Sequence, residues 1–278
     1  MEINRSLIRG KVKGSGAEIV TVSSGKGGAG KTFFATNFAV ELKKRGYRVL
    51  IFDADINLSN TYLLLNIDNS NEFRRFIEGE IEINEVIQKG VGGVDVLYAG
   101  EEIDTLITLD DQKIGNIVSE LQKIENRYDY IIIDTQAGLH PLNLDLILYS
   151  SRNIIIANPE ITSLVDLYKL IKVAALKKPG IYFDLVVNKA LSVKSAIEIY
   201  SKIKDTVSKF RIRSEINFLD YILEDSKRVL ESIQKRTPVV ILHETGVLAQ
   251  CFRIIVDSFL KGIKKEKRVP FFYFLFKR

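Results

Sequence analysis

Two kinds of hydrophobic pattern alternate along this chain. The first is a short, nearly continuous apolar run: Ile19-Val20-Thr21-Val22, Tyr47 to Asp53, Tyr130-Ile131-Ile132-Ile133-Asp134, Asn153 to Ala157, and Phe183 to Asn188. Runs of this length, apolar on both faces, predict strands buried in the middle of a parallel sheet. Val94 to Tyr98 alternates as a strand closed by Gly100, and Glu215 to Leu219 predicts a further short one. The second pattern repeats every three or four residues and predicts helices. It covers Phe33 to Leu42, Asn71 to Lys89 (Phe73, Phe76, Ile77, then Ile83, Val86, Ile87), Asp110 to Asn126, Leu142 to Tyr149, Ser163 to Leu176 and Val193 to Val207. Asp225 to Gln234 and Glu244 to Leu260 complete the series. Strand and helix in alternation predict an α/β fold, a doubly wound, mostly parallel sheet with helices on both faces. No internal repeat or linker interrupts it, so residues 18–260 read as one domain. Residues 1–17, with Arg5, Arg9, Lys11 and Lys13 among three glycines, read as a mobile or weakly helical arm.

Composition changes this picture only at the C-terminus. With 46% hydrophobic and 27% charged residues over 278 positions, the chain has the make-up of a soluble globular protein. No apolar run approaches a membrane span, the N-terminus lacks the apolar core of a signal peptide, and Cys251 is the single cysteine, which together predict a cytoplasmic location. The net charge is +5, yet residues 261–278 alone carry +6: Lys261, Lys264, Lys265, Lys267, Arg268, Lys277 and Arg278 against Glu266. The body is therefore nearly neutral, which argues against a broad nucleic-acid surface. The tail ends in Pro270-Phe271-Phe272-Tyr273-Phe274-Leu275-Phe276-Lys277-Arg278, aromatic residues flanked by cations, a composition suited to an anionic bilayer interface. Docking of that run on the body, or an edge strand, is the competing expectation.

The candidate chemistry lies between the first strand and the first helix. Gly25-Lys26-Gly27-Gly28-Ala29-Gly30-Lys31-Thr32 matches the phosphate-binding pattern G-x-x-x-x-G-K-[ST], and Phe33 opens the helix behind it. Glycines let successive N–H groups turn toward phosphate oxygens, and the helix N-terminus adds positive potential. Lys31 is expected to reach the terminal phosphates of ATP, and the Thr32 hydroxyl to ligate Mg²⁺. Ligands of such sheets bind beyond the carboxyl ends of the strands, where Asp53, Asp55 and Asp134 fall. Asp134, after four apolar residues, has the form of the aspartate that holds Mg²⁺ through water. Val186-Val187-Asn188-Lys189 lacks the aspartate that a guanine reader carries two residues on, since Leu191 stands there, so ATP is expected rather than GTP.

Lys26 is a second lysine inside the loop, and in this the chain resembles the ParA/MinD-type ATPases with a deviant Walker A motif, K-G-G-x-G-K-[ST]. The resemblance spans roughly residues 18–260 and implies a P-loop fold in which ATP is sandwiched in a homodimer, with Lys26 reaching the partner's phosphates. It implies that Asp55 positions or deprotonates the attacking water, that Asp53 supports the metal's water shell, that Asn60 fixes the nucleophile or the dimer contact, and that Asn188 recognises adenine. Asp134-Thr135-Gln136-Ala137-Gly138 is similar to the D-T-x-A-G switch of these proteins, with Gln136 where a glycine is common. Tyr221-Ile222-Leu223-Glu224-Asp225 replaces a Y-I-P-x-D-like stretch, leaving Leu223 to pack on the base. Asn158-Pro159-Glu160-Ile161-Thr162-Ser163 and the helix after it resemble the FlhG/FleN (YlxH) subgroup, which governs flagellar number and placement. That resemblance implies a slow, regulatory ATPase, peripheral attachment to the inner face of the cell membrane, and partners such as an FlhF-like GTPase or flagellar switch proteins. Residues 1–17 lack the D-Q-A-x-x-L-R helix that activates that GTPase. A MinD-type division-site regulator and a ParA-type partitioning ATPase are the alternatives.

Overall fold

The computed structural model describes residues 16–55, 60–68, 72–98, 120 and 123–262. Its centre is an eight-stranded sheet in the order β3-β4-β2-β5-β1-β6-β7-β8. The strands are β1 (Glu18–Ser24), β2 (Val49–Ala54), β3 (Gln88–Lys89), β4 (Asp95–Tyr98), β5 (Tyr130–Thr135), β6 (Arg152–Ala157), β7 (Ile181–Ala190) and β8 (Ser214–Leu223). All pairings are parallel except β3 with β4 at one edge. β1, β2, β5 and β6 are buried almost throughout, as continuous apolar runs require when helices cover both faces.

One face carries α1 (Lys31–Lys44), α9 (Val239–Leu242) and α10 (Val247–Lys261) over a core that includes Phe34, Phe38, Phe252 and Phe259. Phe34 stacks on Phe38 at 5.2 Å, and Phe38 meets Phe259 edge-on at 5.0 Å, which locks the last helix to the first. The other face carries α5 (Pro141–Tyr149), α6 (Ile161–Lys177) and α7 (Val193–Lys209), sealed on β6 and β7 by Leu167, Leu170, Ile171, Phe183 and Ile203. The short helices α2 (Thr61–Leu65), α3 (Glu72–Glu78), α4 (Ile83–Val86) and α8 (Ser226–Gln234) fill the connections.

Three elements depart from the sequence pattern. The helical spacing over Asn71 to Lys89 resolves into α3 and α4, because Gly79 turns the chain at φ 81° and a Glu82–Glu85 capping box restarts it. Gln88 and Lys89 then pair with Val96 and Asp95 as an edge strand. β8 runs on to Leu223 rather than stopping at Leu219, since Tyr221 and Leu223 pair with Val187 and Ala190 of β7. The pattern over Glu244 to Leu260 begins later, at Val247, and α9 precedes it. The predicted helix from Asp110 to Asn126, the N-terminal arm and the basic-aromatic tail lie mostly outside the described residues. Among the described residues no helix is long and apolar enough to cross a membrane.

Candidate nucleotide site

The loop between β1 and α1 is shaped by its two ends. A Cβ on Gly25 would lie 2.1 Å from the backbone nitrogen of Leu167 and 2.6 Å from its Cα, so the loop rests directly on the α6 backbone and admits no side chain there. Gly30 ends the loop at φ 94°, and a Cβ there would meet Asn188 Nδ2 at 2.2 Å. Asn188 uses that amide to donate to the Ala29 carbonyl at 2.9 Å, while its own oxygen accepts from the Lys189 N–H at 2.9 Å. Between these fixed ends, a Cβ on Gly27 or Gly28 would meet no atom within 4 Å, so that part of the backbone faces open space. Ser24 Oγ donates to the Lys26 carbonyl at 2.8 Å and bends the entry.

The open face looks into a cleft of about 850 Å³. Gly27, Gly28, Gly30, Lys31, Thr32 and Phe33 form its floor; Asp55, Asn60, Gln136 and Ala137 stand on one side; Asn188, Leu223, Glu224 and Asp225 stand on the other. The first-turn N–H groups of α1 and the ammonium of Lys31, a residue only 6% exposed, make this an anion site. Sequence reasoning placed most of these residues together, and the structure does bring them to one cleft. Gly25 and Ala29 hold the loop from beneath.

Below the floor, β2 and β5 run side by side with Asp53 opposite Asp134. Both carboxylates are fully buried, and the Asp55 N–H donates to Asp53 Oδ1 at 3.1 Å. Burial first, then the neighbouring Asp53 charge, pushes the Asp134 carboxyl well above the usual range, while Lys31 and the Thr32 hydroxyl favour its ionised form. Neither Asp134 oxygen has a hydrogen-bond partner of good geometry. Two orphaned oxygens beside Thr32 and Lys31 are costly unless a bound cation and its waters complete them. These residues therefore fit Mg²⁺. Among the described residues no group of three or more His, Cys, Asp or Glu forms a metal cage.

Lys26 points out of this cleft. Its Nζ reaches Glu160 Oε2 and Thr162 Oγ1, both at 3.2 Å, at the start of α6, and its side chain stays 45% exposed. Ile161, between the two Lys26 partners in sequence, is 79% exposed.

Several contributors are not apparent from the motifs alone. Asn143 of α5 donates to the carbonyls of Gln136 and Gly138, and the Gly138 N–H donates to the Ser24 carbonyl at 3.0 Å, which ties the switch-like loop to the phosphate loop. The only signal is one amide in the apolar run Pro141-Leu142-Asn143-Leu144. Lys189, at φ 57°, places Nζ 3.4 Å from the Gly28 carbonyl.

A family model described as "AAA domain" matches residues 17–181. The antiactivator FleN of Pseudomonas aeruginosa is 26% identical over 258 residues, 92% of this chain and 91% of that protein. The flagellum site-determining protein YlxH of Helicobacter pylori is 28% identical, over 79% of this chain and 74% of its own length. Among solved structures, the septum site-determining protein MinD of Pyrococcus horikoshii OT3, complexed with Mg-ADP, superposes with a TM-score of 0.69 at 26% identity, covering 88% of this chain and 96% of that one. The phosphate loop, the buried strand-end aspartates and these likenesses agree: the chain belongs to the AAA-domain family, as a P-loop ATPase of the ParA/MinD type.

Proposed function

We propose that the protein is a Mg²⁺-dependent ATP-operated switch that pairs with a second copy of itself in the ATP state, attaches to an anionic membrane surface through residues 261–278, and regulates flagellar number or placement. The observation that carries this reading is the position of Lys26, inside the phosphate loop yet turned to Glu160 and Thr162 rather than lining its own cleft, with its side chain 45% exposed. A cation at that place is suited to phosphates held by a facing copy. The FleN and YlxH relatives support the flagellar role. A MinD-type division-site role is the second reading, supported by the likeness to the Pyrococcus MinD; a deletion strain with altered septum position and normal flagellation would favour it.

In this account the loop N–H groups and Lys31 hold the phosphates, and Asn188 and Leu223 border the adenine. Asp55 orients or deprotonates the attacking water on the side away from the leaving ADP, with Asn60 beside it. Thr32 and Asp134 would hold Mg²⁺, with Asp53 supporting its water shell, and the ion would neutralise charge on the terminal phosphates. Gln136 also lines the cleft. The test is steady-state phosphate release with Asp55→Ala. Loss of a general base costs about 10²-fold or more, whereas an unchanged rate removes Asp55 from the reaction.

A further inference from the structure

Arg236 is the residue whose conformation most needs a reason. It follows α8, in the left-handed region at φ 48°, where Thr237 N–H returns to the Ser232 carbonyl at 3.0 Å. This helix-ending position is usually glycine, because a Cβ is strained there. The side chain supplies the compensation. Its Nη2 donates to the carbonyls of Tyr62, within α2, at 3.2 Å and of Ile67, just past its C-cap, at 3.1 Å. Arg236 Nε is buried without a partner, so these two bonds are what the guanidinium is committed to. A cation there also complements the carbonyl end of a helix.

The two helices joined in this way both line one cleft. α2 begins just after Asn60 and contributes Leu63 and Leu64 to the cleft, while α8 contributes Val229, Leu230 and Ile233. Asn60 is the N-cap residue of α2, and Asp55, directly after β2, lines the same cleft. We infer that Arg236 is a positioning residue for ATP hydrolysis: by clasping α2 to α8 it holds Asn60, at the start of α2, in the cleft that Asp55 also lines. The inference rests on the proposed reading of this cleft as the site of ATP hydrolysis, and the clasp itself rests on the Arg236 contacts.

Arg236→Gly separates the clasp from the fold, because glycine accepts the left-handed backbone that arginine strains. Full-length protein with Mg²⁺ and ATP is assayed for phosphate release, and ADP affinity is measured by displacement of a fluorescent nucleotide. Arg236→Gly is expected to melt no lower than wild type and to keep KM for ATP and Kd for ADP within about twofold, with kcat lowered about tenfold. Arg236→Lys, whose ammonium can satisfy one carbonyl, is expected to recover part of kcat. A kcat within about twofold of wild type, or a fall matched by equal loss of ADP affinity, overturns the clasp. Asp55→Ala runs alongside: activity lost there but kept in Arg236→Gly refutes the clasp alone, and the converse refutes the Asp55 assignment alone.

Discussion

Gly25 and Gly27 are two residues apart in one loop and have different reasons to be glycine. Gly25 lies against the α6 backbone, where nothing can yield, whereas Gly27 faces the cleft. Gly25→Ala must therefore push the loop off α6, and nucleotide affinity measured by titration calorimetry is expected to fall at least about tenfold, since a displaced donor array no longer matches the phosphates. Gly27→Ala has room, so the unfolding free energy of the nucleotide-free protein, read by denaturant titration, should change by less than about 0.5 kcal/mol. The sequence pattern makes the loop legible, because the spacing of Gly25, Gly30, Lys31 and Thr32 follows from phosphate geometry. It does not show which glycine is a packing glycine, since the surface that decides this comes from Leu167, far along the chain. The Asn188 contact with Ala29 is hidden for the same reason.

At the scale of elements, α5 governs the loop from Gln136 to Gly138 through one side chain. Asn143→Leu keeps the helix apolar and removes both donors from that loop. Nucleotide affinity should stay within about twofold while kcat falls several-fold, because the loop on the cleft's catalytic side loses its anchor; equal binding and turnover to wild type would show that Asn143 only packs. Elements buried on both faces were readable from apolar runs alone, and β1, β2, β5 and β6 fall where those runs predict. Partly exposed elements were not. Gln88 and Lys89 have helical spacing behind them but gain hydrogen bonds from β4, and such a long-range pairing overrides local pattern. β8 extends through Tyr221 to Leu223 for the same reason, and so carries Leu223 to the edge of the base side of the cleft.

At the scale of the molecule, one buried ion pair joins the sheet to its last helix. Arg152 at the start of β6 binds Asp184 of β7, donates to the Phe259 carbonyl at 2.7 Å and lies 3.8 Å over the Phe259 ring. Asp184 is fully buried and also accepts from Asn217 at 2.9 Å. Arg152→Met leaves that carboxylate uncompensated, and denaturant unfolding should show a loss of about 3–5 kcal/mol; a loss below about 1 kcal/mol would show that the carboxylate finds another partner. The same contacts anchor the turn from which residues 263–278 continue. If that segment is the membrane contact, deleting Pro270–Arg278 abolishes ATP-dependent sedimentation with vesicles containing anionic phospholipid; unchanged sedimentation removes the membrane from the account.

The central claim is that ATP joins two copies and that Lys26 completes the neighbour's site. Sedimentation velocity of the full chain with Mg²⁺ and a non-hydrolysable ATP analogue, against ADP, tests it directly. Wild type should be a dimer with the analogue and a monomer with ADP, while Lys26→Ala binds both nucleotides and remains a monomer throughout. A Lys26→Ala dimer as stable as wild type, or a wild type that stays monomeric with the analogue, would contradict the account.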